Sequence, residues 1–217
     1  MKIAINKAHY PVSTLGFGRR VGIWTQGCSI RCPECVSKDT WELDEQRVTT
    51  VELLTSALSP WLTAADGVTI SGGEPFDQPK ALIELLGAVR RFNGGDILVF
   101  SGYSQECLFA EHREVVDLID VLVTDPYRPD TGATLTLRGS DNQRIFILTD
   151  LARSRYPANL DEQSWGAHRR LDLFVENDTV WLAGIPRIEE MARLKTELDR
   201  RGIACKTSDQ LQPRIRA

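Results

Sequence analysis

A short apolar run near the middle of the chain ends in a pair of glycines: Val68-Thr69-Ile70-Ser71-Gly72-Gly73-Glu74-Pro75. Its first three residues are typical of a buried strand, and the glycines mark the turn that closes it. Similar runs of apolar and β-branched residues recur at Val21–Trp24, Ile97–Phe100, Val121–Val123 and Ile145–Leu148. This repetition predicts a sheet of short buried strands.

Stretches with helical spacing separate the predicted strands. Thr50 is a predicted N-cap for a helix that extends to about Trp61, and a second helix begins at Pro79 and runs through Phe92. Strands that alternate with helices are typical of a mostly parallel sheet covered by helices. We therefore expect an α/β fold, a partial (β/α) barrel of mostly parallel strands with helices outside, whose site lies at the carboxyl ends of the strands.

The last third of the chain differs in pattern. The polar segment 150–170 is interpreted as a connector or mobile loop. Leu171–Leu182 predicts a hairpin around Asn177-Asp178, and the helical spacing that follows predicts a helix from about Arg187 to Arg201. A last short strand is predicted at Ile203–Lys206.

Length and composition favour one large domain with an appendage. For 217 residues we predict a core of residues 1–149 and a C-terminal hairpin-helix extension of residues 150–217, packed on or beside the core. The net charge of -4 does not favour nucleic acid as a partner. No apolar run reaches the roughly 18 residues of a membrane span, and the first seven residues lack the apolar core of a signal peptide. We expect a cytoplasmic protein with no membrane association.

Three of the five cysteines lie close together in Cys28-Ser29-Ile30-Arg31-Cys32-Pro33-Glu34-Cys35. Such a loop can direct three thiolates at one point, and soft thiolates select iron-sulfur clusters, zinc or copper(I). Three ligands would leave one iron of a [4Fe-4S] cluster open to a substrate or cofactor, whereas a structural zinc site needs a fourth ligand. From the spacing alone, an iron-sulfur cluster, a zinc site completed by a distant residue and incidental thiols all remain open.

The cysteine loop and the Gly-Gly-Glu turn, in this order and each after a strand, resemble the radical S-adenosylmethionine superfamily. The resemblance implies that Cys28, Cys32 and Cys35 hold a [4Fe-4S] cluster whose fourth iron binds the amino and carboxylate groups of S-adenosylmethionine.

The same resemblance implies a set of cofactor-binding residues. Gly72, Gly73 and Glu74 would contact the cofactor at its amino group, and Glu34 would contact the adenine through its main chain only. Ser101, in the Ser101-Gly102-Tyr103 segment after the third predicted strand, is a further cofactor-binding candidate.

A narrower resemblance, through residues 27–35 and Thr40-Trp41, is to the activating enzymes of glycyl radical enzymes, and Leu137–Arg144 resembles a segment of the anaerobic ribonucleotide reductase activase. It implies reductive cleavage of S-adenosylmethionine to a 5'-deoxyadenosyl radical. The implied partners are a glycyl radical protein such as anaerobic ribonucleotide reductase and a flavodoxin- or ferredoxin-type electron donor. Two features depart from that family: Asp125-Pro126 stands where Asp-Gly is common, and the residues beyond Leu148 have no counterpart in its compact form.

Two other functions stay open at this point. One is a radical S-adenosylmethionine enzyme that acts on a small molecule or peptide, as 7-carboxy-7-deazaguanine synthase does. The other is a zinc-stabilised interaction module without enzymatic activity, which would bind a metal without cleaving the cofactor.

Several side chains have two interpretations in the sequence. Arg138, Asn142, Gln143 and Arg144 either contact a partner or fix a turn. Trp24 and Trp41 either shield the cluster or pack in the core. The isolated thiols, Cys107 and Cys205, are predicted to be small buried hydrophobic residues.

Overall fold

The computed structural model describes residues 1–164, 171–176, 179–186 and 188–203. Its nine strands within these ranges are β1 (Lys2–Val12), β2 (Arg20–Thr25), β3 (Val48–Thr50), β4 (Gly67–Gly72), β5 (Asp96–Phe100), β6 (Val121–Thr124), β7 (Arg144–Ile147), β8 (Leu171–Glu176) and β9 (Thr179–Gly184). The α-helices in the same ranges are α1 (Val51–Ala64), α2 (Pro79–Phe92), α3 (Gln105–Glu111), α4 (Arg113–Val116), α5 (Asp150–Arg155) and α6 (Ile188–Arg200). All the strands and helices predicted before residue 149 are confirmed.

Seven strands form one sheet in the order β3-β1-β2-β4-β5-β6-β7. The four central strands β2, β4, β5 and β6 are parallel, while β1, β3 and β7 pair antiparallel at the two sides. The predicted α/β fold is confirmed. Among the described strands the sheet does not close, since β3 and β7 are its two ends.

The central strands are buried because helices or further chain segments cover both faces of the sheet. On one face, Ile23, Ile70 and Val99 belong to the hydrophobic core that also contains α1 and the apolar side of α2. Each of these two helices begins as its sequence predicts. The Thr50 hydroxyl caps α1 by accepting a hydrogen bond from the Leu53 amide, and Pro79 is the first residue of α2.

The segment after β7 corrects one prediction. Residues 150–164 are not a mobile connector, because they form α5 and a 3-10 helix that pack on the other face of the sheet. Ala152, Tyr156 and Leu160 recur at every fourth position and are buried there. The polar residues between them conceal this apolar spacing. The remainder of the predicted connector, residues 165–170, lies outside the described residues.

The C-terminal part contains the predicted hairpin and helix. Strands β8 and β9 pair antiparallel, and their turn, residues 177–178, lies outside the described residues. The Asp172 carboxylate anchors the hairpin by accepting hydrogen bonds from the amides and hydroxyls of Ser13 and Thr14. Of the predicted last strand Ile203–Lys206, only Ile203 is described, and it belongs to no strand. The division between a core and an extension at residue 150 stays a prediction.

A buried ion pair joins the amino ends of the parallel strands. Arg20, the first residue of β2, contacts Asp96, the first residue of β5, at 2.8 Å, and both side chains are fully buried. The Arg20 guanidinium also donates to the Thr69 hydroxyl and to main-chain carbonyls, and the Tyr156 hydroxyl donates to Asp96. Both charges are thereby compensated, which lets them remain in the core.

In the part of the chain that the structure describes, no helix has the length and apolar character that crossing a bilayer requires.

Candidate functional site

The carboxyl ends of β2 and β4 bring the cysteine loop and the Gly-Gly-Glu turn together. The Gly73 amide donates to the Thr25 carbonyl at 2.9 Å, and the Glu74 amide donates to the Gly27 carbonyl at 2.8 Å. Gly27 immediately precedes the first cysteine of the loop. The two sequence motifs are therefore connected by main-chain hydrogen bonds at one edge of the sheet, as the parallel strands predict.

Gly73 lies in a gap that only glycine can occupy. A Cβ atom at this position would lie 2.0 Å from the Gly27 carbonyl oxygen and 3.1 Å from that of Thr40. The close approach of these backbones explains why the sequence has no side chain here.

The cysteine loop turns sharply between its ligand positions. Arg31 and Glu34 have left-handed backbone conformations, with φ of 50° and 58°, which are uncommon for residues other than glycine. The Cys28 amide donates to the Trp41 carbonyl, which fastens the start of the loop.

The three loop thiols are half-buried and free. Burial raises the pKa values of Cys28 and Cys32 as thiols, and the nearby charges of Cys35 and Glu74 add to this effect. A positively charged metal centre would reverse it, because a cation stabilises thiolates. The donor set of three soft sulfur atoms fits an iron-sulfur cluster.

Glu74 is buried and connects the ends of two strands. Its Oε1 accepts from the Phe76 amide and the Ser101 hydroxyl, and its Oε2 accepts from the Gly102 amide at 2.7 Å. Burial raises the pKa of Glu74 to about 7, although these hydrogen bonds lower it. Ser101 thus lies beside Glu74, as a shared cofactor site requires.

A second polar group, which the sequence does not predict, lies at the same edge of the sheet. The Asp77 carboxylate accepts from the amide and hydroxyl of Ser29 and from the Tyr103 hydroxyl. Ser29 adjoins Cys28, so this group links the cysteine loop to the turns after β4 and β5. Its members are 26 to 74 residues apart in the sequence, and no local pattern signals their contact.

Trp24 and Trp41, each predicted either to shield the cluster or to pack in the core, lie in different environments. Trp24 is buried in a hydrophobic cluster with Val12 and Leu15, which supports the core-packing interpretation. Trp41 is only partly buried and lies under the cationic groups of Arg31 and Lys38, beside the cysteine loop.

The Arg138–Arg144 segment uses its polar side chains within the chain. Arg138 is buried and donates to carbonyls that include those of Gln143 and Asp161. Asn142 donates to the Pro126 carbonyl, and Gln143 donates to the Asp125 carbonyl. Arg144 binds the carboxylate of Asp125 through two of its guanidinium nitrogens. These bonds favour the turn-fixing alternative over partner contact.

Cys107 corrects the prediction made for the isolated thiols, because it is half-buried and not part of the core. Within the described ranges, one group of three potential metal ligands (Cys, His, Asp or Glu) has all its ligand atoms within 4.8 Å of one another, and Cys107 belongs to it. The other members are Glu111 and His112. Cys205 lies outside the described residues.

The model of the family "4Fe-4S single cluster domain" matches residues 14–146, which span both strand-end motifs. The chain belongs to this family. The match decides between the metals that the cysteine spacing left open, in favour of an iron-sulfur cluster.

This chain has relatives that are named as activating proteins or activating enzymes. It is 35% identical over 149 residues to the anaerobic ribonucleoside-triphosphate reductase-activating protein of Salmonella typhimurium, a match that covers 64% of this chain and 96% of the relative. It is 30% identical over 139 residues to the pyruvate formate-lyase-activating enzyme of Staphylococcus aureus, covering 60% of this chain and 55% of that enzyme. The crystal structure of QueE from Escherichia coli matches 48% of this chain and 54% of its own, with 23% identity and a TM-score of 0.42.

The family member is a radical S-adenosylmethionine enzyme, as its motifs and activase relatives agree. Its cofactors are a [4Fe-4S] cluster and S-adenosylmethionine.

Proposed function

We propose that the enzyme generates a glycyl radical on a partner enzyme such as an anaerobic ribonucleoside-triphosphate reductase. The main-chain connection between the cysteine loop and the Gly-Gly-Glu turn is the observation that carries the proposal, since it unites the cluster and cofactor motifs at one edge. That edge is accessible, because Arg31, Pro33, Glu34 and Val36 are exposed around the cysteines. An open rim suits a protein substrate, whose glycine loop must reach the reactive carbon atom.

Cys28, Cys32 and Cys35 are the proposed ligands of the cluster. When bound, the cluster would supply the single electron that reductive cleavage of S-adenosylmethionine requires. The turns at Arg31 and Glu34 orient the three thiols, and the hydrogen bond from Cys28 to Trp41 fixes the start of the loop.

The proposed cofactor residues are Gly72 and Gly73, which allow close backbone approach, Glu74 and Ser101, and Glu34 through its main chain. Glu74 has one acceptor position left, because an ionised carboxylate accepts about four hydrogen bonds and three are formed within the chain. An ammonium group at that position would favour the ionised carboxylate and lower its pKa from about 7. The Ser101 hydroxyl holds Oε1 in place for this contact.

A flavodoxin- or ferredoxin-type protein is the proposed electron donor, following the resemblance to the activases. The cytoplasm is the proposed location, because four free thiols among the described residues suit a reducing compartment.

The test is release of 5'-deoxyadenosine by the anaerobically reconstituted, dithionite-reduced enzyme, with and without a glycyl radical protein from the same genome. We expect release together with a glycyl radical signal in electron paramagnetic resonance. Cys28→Ala, Cys32→Ala and Cys35→Ala should each abolish both, whereas Cys205→Ala serves as the matched control and should retain them.

Two outcomes would contradict the proposal at different levels. Release that no partner protein alters, without a glycyl radical, would refute the activase assignment and favour a small-molecule or peptide substrate. Release that survives removal of a loop cysteine would refute the assignment of the cluster ligands.

A further inference from the structure

A second group of side chains of metal-ligating types is formed by residues outside the cysteine loop. Cys107 and Glu111 are one helical turn apart on α3, and His112 follows where that helix ends. Their ligand atoms all lie within 4.8 Å of one another. None of the three belongs to the motifs that hold the cluster or the cofactor.

These side chains are available to a ligand. Cys107 is a free thiol, half-buried like His112, and Glu111 is exposed. Among the described residues, no side-chain hydrogen bond or ion pair engages any of the three. Burial raises the pKa of the Cys107 thiol, and the negative charges of Glu111 and Glu74 raise it further. A bound cation would offset this repulsion and stabilise the thiolate.

We propose that Cys107, Glu111 and His112 bind one Zn²⁺ ion. Thiolate, carboxylate and imidazole are the three ligand types that zinc takes in proteins, at about 2.0 to 2.3 Å from the ion. Two such ligand atoms in a tetrahedral site are about 3.3 to 3.7 Å apart, so side chains whose ligand atoms already lie within 4.8 Å must approach by about 1.5 Å at most to complete the site. Three protein ligands leave the fourth tetrahedral position to water.

The position of the site indicates what the ion does. The His112 ring packs edge-on against Phe76, with ring centres 5.5 Å apart, and lies 6.1 Å from the Tyr103 ring. The Tyr103 hydroxyl donates to Asp77 and contacts the hydroxyl of Ser29, next to the first cluster cysteine. Zinc on His112 would fix this ring beside the polar group that holds the cysteine loop, while the fourth position stays open to water.

The experiment measures zinc and iron on the same sample. Anaerobically reconstituted enzyme is dialysed against buffered free Zn²⁺, and both metals are counted by elemental analysis. We expect one zinc per chain with iron content unchanged. Cys107→Ser, Glu111→Gln and His112→Gln should each lose this zinc at the same free concentration. Glu114→Gln, an exposed acidic residue on the neighbouring α4, is the matched control and should retain it.

Absorption at the zinc K-edge identifies the ligands without reference to activity. We expect one sulfur neighbour in the wild-type enzyme and none in the Cys107→Ser variant. The proposal is overturned if no zinc binds, if the three variants bind it as the wild type does, or if zinc appears with several sulfur neighbours as iron is lost. The zinc count does not depend on cleavage of S-adenosylmethionine, so either proposal can fail alone.

Discussion

Replacing Gly73 by alanine tests whether the contact between the two motifs is required. The added Cβ would lie 2.0 Å from the Gly27 carbonyl oxygen, whereas real Cβ contacts are essentially never under 3.0 Å. One of the two backbones must therefore move by about 1 Å, because neither contacting group is a flexible side chain. A misplacement of about 1 Å in a catalytic geometry can cost about 100-fold in rate, and overpacking costs about 1 to 3 kcal/mol of stability.

The assay compares the rate of 5'-deoxyadenosine release per cluster in Gly73→Ala and in a matched glycine variant. Gly87, inside α2, is the control, because nothing lies within 4 Å of its added Cβ. Gly87→Ala should keep the wild-type rate and raise the unfolding free energy by about 0.5 to 1 kcal/mol. We expect Gly73→Ala to lose about 100-fold in release rate while still folding. A Gly73→Ala enzyme with the rate of the Gly87→Ala control would refute the reasoning.

Two further predictions concern buried charge. Asp96→Ala leaves Arg20 buried without its partner and should lower the unfolding free energy, measured in urea, by about 3 to 5 kcal/mol. The control Asp117→Ala breaks an exposed ion pair and should lower it by less than about 1 kcal/mol. Equal losses in the two variants would contradict this prediction. The pKa of Glu74 is raised from 4.5 to about 7 by folding, so the unfolded chain releases the proton first and stability falls as pH rises through this window. At about 1.4 kcal/mol per pH unit, the wild-type apoprotein should lose about 3 kcal/mol of unfolding free energy between pH 4.5 and 7.5 through this group. The Glu74→Gln apoprotein should lack this loss when its unfolding is measured at the same two pH values. Parallel curves for the two proteins would contradict the shift.

The central strands could be predicted because burial on both faces leaves a continuous apolar run. Strand β1 could not, since its eleven residues include Asn6, Lys7 and His9 and lack such a run. The segment that forms α5 carried a usable signal at Ala152, Tyr156 and Leu160, which the intervening charges hid.

The candidate site also has one part that the sequence predicts and one part that it does not. The cysteine loop and the Gly-Gly-Glu turn are local motifs, so their meeting follows from the parallel order of β2 and β4. The Asp77 contacts with Ser29 and Tyr103 depend on how three separate turns are positioned, which side-chain spacing in one segment does not encode. The same is true of the two-nitrogen contact of Arg144 with Asp125.

The buried Arg20–Asp96 pair and the cysteine loop lie at opposite edges of the sheet, and this separation bears on how the enzyme matures. The hydrophobic clusters of the described residues contain no cysteine, so we expect the chain to fold without iron. A zinc finger, by contrast, is unfolded without its metal. In that case the fold forms first, and the cysteine loop receives iron and sulfide afterwards. Oxygen damage to the cluster would likewise leave a scaffold fit for repair.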